Sequence, residues 1–468
     1  MHHSAQLVII GAGPGGYTAA FHAADLGLKV TLIDSGATLG GVCLNRGCIP
    51  SKALLHAAHT LSDAAHAKVM GIEFGTPQVD INKLRAWKDG VVAKLTGGLS
   101  SLAKARNVTY IQGNARFLNN TTLEIRKADG TMDTLAFDHA LIATGSRPVE
   151  LSFMPKSTHV WDSTAALALP SIPASLLVIG GGYIGLELGS AYAALGSAVS
   201  VVEALPVILG SADKDLADIL IRKLKKTFTT IMAATQVIAA EETSDGLRVH
   251  FKDAAGKEWQ ETYSNALVST GRRPNTETLS LENTKVERTE KGFIEVTAER
   301  RTDEKNIYAI GDVTGNPMLA HKASREAKVA IDAILKKPTA FEPTCIPSVI
   351  FTDPELAWCG LTEMAARAQD LDIAVSKFPW AASGRALTLN RTDGLTKIIA
   401  DTKTGKILGI GMVGVHAGEL IAAAALAIES GMKADDLALT IHPHPTLSET
   451  LMESAEGLFG HPTHLIKK

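Results

Sequence analysis

Cysteine is scarce, with four in 468 residues. So few cannot staple a secreted disulfide fold. A reducing compartment fits better, and there any disulfide is expected to work chemically rather than to hold the chain together. Positive charge is not in excess either: 46 Lys and Arg stand against 49 Asp and Glu, a net charge of -3. That excludes the basic footprint of a nucleic-acid partner. No segment reaches the roughly 18 uninterrupted apolar residues of a membrane-spanning helix. No secretory signal is visible. The first apolar run, Leu7 to Ile10, has no basic flank and breaks at once into glycines, which points to the cytoplasm. Clustered Cys and His at zinc spacing are also missing, so no metal site is expected. What remains is an ordinary globular composition, 46% hydrophobic and 20% charged, long enough for three or four domains.

The few cysteines that exist are not placed at random. Cys43 and Cys48 lie in Gly40-Gly41-Val42-Cys43-Leu44-Asn45-Arg46-Gly47-Cys48-Ile49-Pro50-Ser51-Lys52, directly before the helix formers Ala53, Leu54, Leu55, Ala57 and Ala58. Pro50 suits a first helical turn. Cys48 is therefore expected at a helix N-terminus, where free N–H groups favour a thiolate. A short loop from Leu44 to Gly47 would let the two sulfurs meet as a pair that cycles between disulfide and dithiol. Two unrelated free cysteines, or half of a zinc site, are the competing readings.

Two segments share one pattern. Gln6 to Ile10 reads as a buried strand, followed by Gly11-Ala12-Gly13-Pro14-Gly15-Gly16, a helix from Tyr17 to Leu26, and a strand from Lys29 that ends in Asp34. Gly11 permits the tight turn, Gly13 lets a pyrophosphate approach the backbone, and Gly16 lets helix and strand pack closely. The terminal acid can accept from a ribose hydroxyl. The pattern returns at Leu176 to Ile179, with Gly180, Gly182 and Gly185 in the turn, a helix from Leu186 to Leu195, and strand Ala198 to Val202 closing on Glu203. Two dinucleotide folds imply two dinucleotides. A carboxylate at Glu203, with no arginine pair after it, favours NAD over NADP.

Two similar stretches, Leu141 to Pro148 and Leu267 to Pro274, each read as a strand that returns beneath its nucleotide fold and leaves it. They place boundaries near 148 and 272. Ile307 to Asp312 is another strand ending in an acid, and Pro317 to His321 leads into a helix. From about 342, strands (Ser348 to Phe351, Leu395 to Ile399, Ile407 to Val413) alternate with helices (Thr362 to Ala368, Glu419 to Ser430) and no nucleotide motif appears. Near the end stands His442-Pro443-His444-Pro445-Thr446-Leu447-Ser448-Glu449. Thr446 and Glu449 fit a helix capping box.

Taken together, the cysteine stretch at 40–52, the two nucleotide folds, Ala309-Ile310-Gly311-Asp312, Met318-Leu319-Ala320-His321-Lys322, Phe378 to Ala382 and His444 to Glu449 resemble the pyridine nucleotide–disulfide oxidoreductases. The resemblance spans essentially the whole chain and is nearest to the branch that reoxidises protein-bound dihydrolipoamide. It implies an α/β fold with two Rossmann-like dinucleotide-binding domains and a C-terminal α+β dimerisation domain. The division would be an FAD domain at 1–148, an NAD domain at 149–272, a central domain completing the FAD site at 273–341 and a dimer-interface domain at 342–468. FAD would lie on Gly11, Gly13, Gly16 and Asp34, with Lys52, Gly113, Thr144, Gly145, Asp312 and Ala320. NAD would lie on Gly180, Gly182, Gly185, Glu203 and Gly271. Cys43 would exchange with the lipoyl thiols, and Cys48 would face the flavin. Lys52 would pair with Glu187, and His444, oriented by Glu449 and supplied by a second subunit, would be the base. His442 and His461 would stand outside the chemistry.

The implied partners are a second copy and the lipoyl-bearing acyltransferase, with its binding domain, of a 2-oxo acid dehydrogenase complex; the glycine cleavage system is a further candidate. No lipoyl domain is expected before the first strand, so the substrate comes on another protein. Three departures stand out: Asp34 replaces a more usual Glu, Pro443 replaces alanine, and Tyr183 is large for its position, reading either as a lid on the nicotinamide pocket or as packing. Cys345 and Cys359 read as core. Glutathione reductases favour arginines after the second fold, where this chain has Ala204 and Leu205. Mercuric reductases carry a C-terminal cysteine pair, absent after Cys359, and soluble transhydrogenases lack a pair at 43 and 48. A chiefly docking or structural flavoprotein is the alternative from another class.

Overall fold

A computed structural model describes residues 3–466. β1 (His3–Ile10), α1 (Pro14–Asp25) and β2 (Val30–Asp34) build the first nucleotide fold as expected, and β1 pairs in parallel with β2 on one side and β5 (Met132–Ile142) on the other. The strand Ile307–Ala309 joins β5 in parallel and completes that sheet, so residues beyond the second nucleotide fold return to the first. Between them β3 (Thr109–Asn119) starts parallel to β2 and runs on into an antiparallel pairing with β4 (Thr122–Lys127). Fully buried aliphatic side chains on both faces of β1 explain why it reads as a continuous apolar run.

The second fold repeats the design. Its five strands run in the order Thr230–Met232, Ala198–Val202, Ser175–Ile179, Asn265–Val268 and Val160–Trp161, all parallel, with an antiparallel meander over 235–263 beside them. The two similar exit segments meet: Ser146–Pro148 pairs antiparallel with Arg272–Pro274, with Arg147 opposite Arg273. The internal resemblance of those segments is therefore a structural seam between the two folds.

The C-terminal part is a five-stranded antiparallel sheet, in the order Ser348–Ile350, Glu355–Gly360, Ile407–Gly414, Leu395–Asp401 and Ile373–Pro379. One face carries a buried cluster that it shares with helices Ala417–Glu429, Ala434–Leu439 and Glu449–Leu458. Lys397 ties this sheet to the second fold. Only 2% of its side chain is exposed, and its Nζ meets Asp213 at 3.1 Å, Asp215 at 3.2 Å and Glu363 at 2.7 Å. Three carboxylates around one buried ammonium satisfy what burial would otherwise penalise. Among the described residues, no helix is long and apolar enough to cross a membrane and no group of three or more Cys, His, Asp or Glu could hold a metal.

Candidate active site

The glycine turns come first, because everything else docks on them. Gly11 has φ +107°, and a Cβ there would sit 2.2 Å from the Ala143 carbonyl oxygen; on Gly16 it would sit 1.8 Å from the Gly11 oxygen. Only glycine fits either position. Gly13 differs: nothing lies within 4 Å of its missing Cβ, and it lines an open cleft beside the N-terminus of α1. Asp34 closes the turn, accepting from Ala12 N–H at 2.6 Å and Gly36 N–H at 2.7 Å. The second fold is built alike. Glu203 accepts from Gly181 N–H at 2.7 Å and Leu205 N–H at 2.8 Å, while Gly182 again faces open space.

The cysteine stretch is anchored to the first of these turns. Gly40 N–H donates to Ala12 O at 2.8 Å, and a Cβ on Gly41 would lie 2.6 Å from Gly13 Cα. Here the expected loop gives way to structure: Cys43 sits on a short helix, α2 (Gly41–Arg46). Asn45 explains it, since its side-chain amide donates to the carbonyls of Leu39 and Gly41 and closes the turn. α3 (Cys48–His66) then starts at Cys48, as Pro50 and the helix formers imply. The Ser51 hydroxyl donates to Cys48 O at 3.0 Å.

Cys43 and Cys48 are thiols hydrogen-bonded to one another, Cys43 half-buried and Cys48 exposed on the cleft. The pair is asymmetric. The Cys43 hydrogen bond, helped by the Lys52 charge, brings the Cys48 thiol down to about 7, and the same bond with burial pushes Cys43 up. Reduced, the pair thus favours the thiolate at Cys48 and the proton at Cys43. One helical turn on, Lys52 Nζ meets Glu187 Oε2 at 2.7 Å. Glu187, 4% exposed, also accepts from Phe351 N–H at 3.0 Å, and Lys52 lies 4.4 Å above the Phe351 ring. Leu54 and Leu55 of α3 share a buried cluster with Leu186 and Leu188 of helix Tyr183–Ala194, which brings the ion pair together. Replacing Lys52 by methionine is expected to raise the pH midpoint of Cys48 alkylation by iodoacetamide by about one unit or more, because the cation favouring the thiolate is gone. An unmoved midpoint would show that Lys52 does not act on Cys48.

The far end of the cleft is set by Asp312. It accepts from the Ser146 hydroxyl, which accepts in turn from Arg272 Nε at 2.7 Å. Beneath it the fully buried Glu326 accepts from Gly311 N–H at 2.7 Å and pairs with Arg300 at 3.0 Å and Lys322 at 3.3 Å. Thr144, Gly145 and Ala320 also line this cleft. Gly113 does not: a Cβ there would lie 2.7 Å from Arg126 O, so its glycine serves the close approach of β4. Gly11, Gly16 and Gly185 shape their turns without lining either cleft. Gly180, Gly182, Glu203 and Gly271 line the second cleft, and Tyr183, 40% exposed, borders both. Ser146, Arg272, Phe351 and Glu326 were missed from sequence; the first two lie in the repeated exit segments, the one available hint.

His444 and Glu449 line neither cleft of their own chain. His444 Nδ1 lies 2.9 Å from Glu449 Oε1, while Glu449 Oε2 accepts from Thr446 N–H at 2.7 Å. One carboxylate thus makes the contact to Thr446 and the orienting contact together, but the expected capping box does not form: helix Glu449–Leu458 starts after Ser448, and no side chain caps it. Burial opposes its charge, but the Thr446 N–H and the His444 ring outweigh it and hold Glu449 below the usual carboxylate range. The His444 side chain is 78% exposed, and His442 has a buried ring nitrogen without a partner among the described residues.

Two family models cover the chain. Residues 5–327 match the pyridine nucleotide-disulphide oxidoreductases, and residues 346–455 match the dimerisation domain of the same family. The chain belongs to the pyridine nucleotide-disulphide oxidoreductase family. It is 47% identical over 461 residues to a dihydrolipoyl dehydrogenase of Haemophilus influenzae, covering 98% of this chain and 96% of that one. It is 46% identical over 463 residues to one of Geobacillus stearothermophilus, covering 99% and 98%. Among solved structures, LpdA of Mycobacterium tuberculosis superposes with a TM-score of 0.89 at 26% identity over 97% of this chain and 99% of that one. The flavoprotein disulfide reductase RclA of Escherichia coli, solved as a Cu(II) complex, gives 0.87 at 30% identity over 97% and 99%. The dinucleotides of this oxidoreductase family are FAD and NAD, and both clefts have the chemistry for them. Each pairs a glycine facing open space at a helix N-terminus, suited to a pyrophosphate, with a strand-end carboxylate suited to a ribose.

Proposed function

We propose that this chain is the dihydrolipoyl dehydrogenase of a 2-oxo acid dehydrogenase complex. It would work in the cytoplasm as a homodimer, taking dihydrolipoyl groups from the lipoyl-bearing acyltransferase. The observation that carries the reading is the asymmetric Cys43–Cys48 pair beside the Lys52–Glu187 ion pair, in a chain so similar throughout to proteins of that name. The domain division is proposed as 1–148, 149–272, 273–341 and 342–468.

When bound, FAD would supply the acceptor for the electron pair of the dithiol and NAD the hydride carrier. The chain's own residues do the rest. Gly13, Asp34, Thr144, Gly145, Asp312 and Ala320 would hold the flavin dinucleotide, and Gly180, Gly182, Glu203 and Gly271 would hold the nicotinamide one. His444 Nε2 of a second copy takes a proton from one lipoyl thiol, with Glu449 fixing the ring through Nδ1. The lipoyl thiolate attacks Cys43 Sγ in the oxidised pair and the Cys43–Cys48 bond breaks, leaving the thiolate on Cys48. The second lipoyl thiol displaces Cys43, which departs as the thiol, and the lipoyl disulfide closes. Lys52 balances negative charge near Cys48. Tyr183 borders both clefts and acts as a cover over the nicotinamide site.

The test is the anaerobic initial rate of NAD⁺ reduction by dihydrolipoamide, set against glutathione disulfide reduction by NADPH. Turnover in the first and none in the second supports the reading, and the reverse refutes it. Nucleotide choice is tested separately. Replacing Glu203 by serine together with Ala204 by arginine removes the acceptor of a 2′-hydroxyl and supplies a cation. It is expected to lower the NAD-to-NADP preference in kcat/KM by about tenfold or more. An unchanged ratio would mean that the ribose lies elsewhere.

A further inference from the structure

Cys345 and Cys359 stand outside both clefts, and nothing in the sequence links them. In the fold they meet. Cys359 lies on the strand Glu355–Gly360, 1% exposed, opposite Ile410. Cys345 lies in the extended connector between helix Ala320–Ile334 and strand Ser348–Ile350, and packs onto the same buried cluster. The two thiols are hydrogen-bonded to each other, and the half-buried Cys345 sulfur is 3.8 Å from Ala425 O on helix Ala417–Glu429. One thiol is within reach of solvent and its neighbour is sealed behind it, the arrangement of an attacking and a resolving cysteine.

We infer that Cys345 and Cys359 form a second redox pair, oxidised to a disulfide by hydroperoxides and separate from the catalytic pair. The Cys359 S–H hydrogen bond draws the Cys345 thiol down, against burial and the Glu429 charge, and the same bond pushes Cys359 up. Cys345, the thiol within reach of solvent, is the nucleophile. Its thiolate attacks the peroxide, the O–O bond breaks, and hydroxide leaves a sulfenic acid on Cys345. Cys359 then attacks that sulfur, and its proton departs with the hydroxyl group as water. Two thiols are oxidised and one peroxide is reduced. The connector is otherwise tied by Thr344 N–H to Glu429 Oε2 at 3.0 Å and by Phe341 N–H to Ala298 O. The new bond fastens it covalently to the dimer-domain sheet and shortens the loop from 345 to 359 in the unfolded chain.

The experiment treats the FAD-loaded dimer with a small excess of hydrogen peroxide. Digestion without reductant, by a protease that cuts before Asp353, then separates the two cysteines onto different peptides. The expected result is a Cys345–Cys359 linked pair that dithiothreitol releases. It is accompanied by a rise of several degrees in Tm that Cys345→Ser abolishes without changing dihydrolipoamide turnover. Cys359→Ala is expected to leave a dimedone-reactive sulfenic acid at Cys345. Both cysteines alkylating after denaturation of the peroxide-treated protein, once Cys43 and Cys48 are oxidised, would overturn the inference. So would a link between the Cys345 residues of two copies.

Discussion

Replacing Cys43 by serine is expected to abolish dihydrolipoamide oxidation, by about 10³-fold or more, with the bound flavin retained. A hydroxyl cannot form a mixed disulfide, so the substrate has no sulfur to attack. Flavin binding should survive, because the turn at Gly11 to Gly16 is closed by Ala143, Asp34 and Gly40 rather than by the Cys43 sulfur. Cys48, beside Lys52, would remain an isolated thiol facing the cleft. Reduction of an artificial dye by NADH needs the two dinucleotides only, so it should persist. Dihydrolipoamide turnover at the native rate in this variant would remove the disulfide from the mechanism.

The second large effect is expected at His444. Glutamine there should slow dihydrolipoamide oxidation by about 10²- to 10⁴-fold, the usual worth of a positioned base, while NADH-driven dye reduction barely changes. Equal losses in both assays would mean a structural role. Glu449→Gln should lose less. Its amide oxygen can still accept from Thr446 N–H and keep the turn before helix Glu449–Leu458, whereas its amide group no longer stabilises a charged imidazole at Nδ1. The split between these variants separates the two contacts that one carboxylate makes.

The glycine turns and their closing acids were readable because local sterics dictate them. A turn at φ +107° with a backbone oxygen 2.2 Å from the absent Cβ admits one residue type, and the acid 22 positions after Ala12 must reach back to that turn. The helix start at Cys48 was readable for the same reason, from Pro50 and the helix formers behind it. What escaped was set by distant partners. The loop expected after Cys43 became α2 because Asn45 bonds to Leu39 and Gly41, and the Gly40–Gly41 step needs Gly13 as its neighbour. Ser146 and Arg272 lie 126 positions apart and meet only because the two exit segments pair. Cys345 and Cys359 read as separate core residues, and they meet because the connector before strand Ser348–Ile350 packs onto the cluster that holds Cys359. Gly113, which the resemblance assigns to the flavin, stands where β4 closely approaches β3 and outside the lining of the cleft.

In the proposed mechanism the base stands on one copy of the chain and the cysteine pair on another, since the exposed His444 lines neither cleft of its own chain. The most direct test is a mixed dimer. Cys43→Ser and His444→Gln chains, carrying different affinity tags, are co-expressed, and the heterodimer is isolated by two successive purifications. Both defects then fall in one exchange site and the other site is intact. About half of the wild-type dihydrolipoamide turnover per dimer is expected, against near-zero activity in either parent homodimer. A heterodimer as inactive as its parents would mean that the base and the cysteines act within a single chain, and would contradict the proposed mechanism.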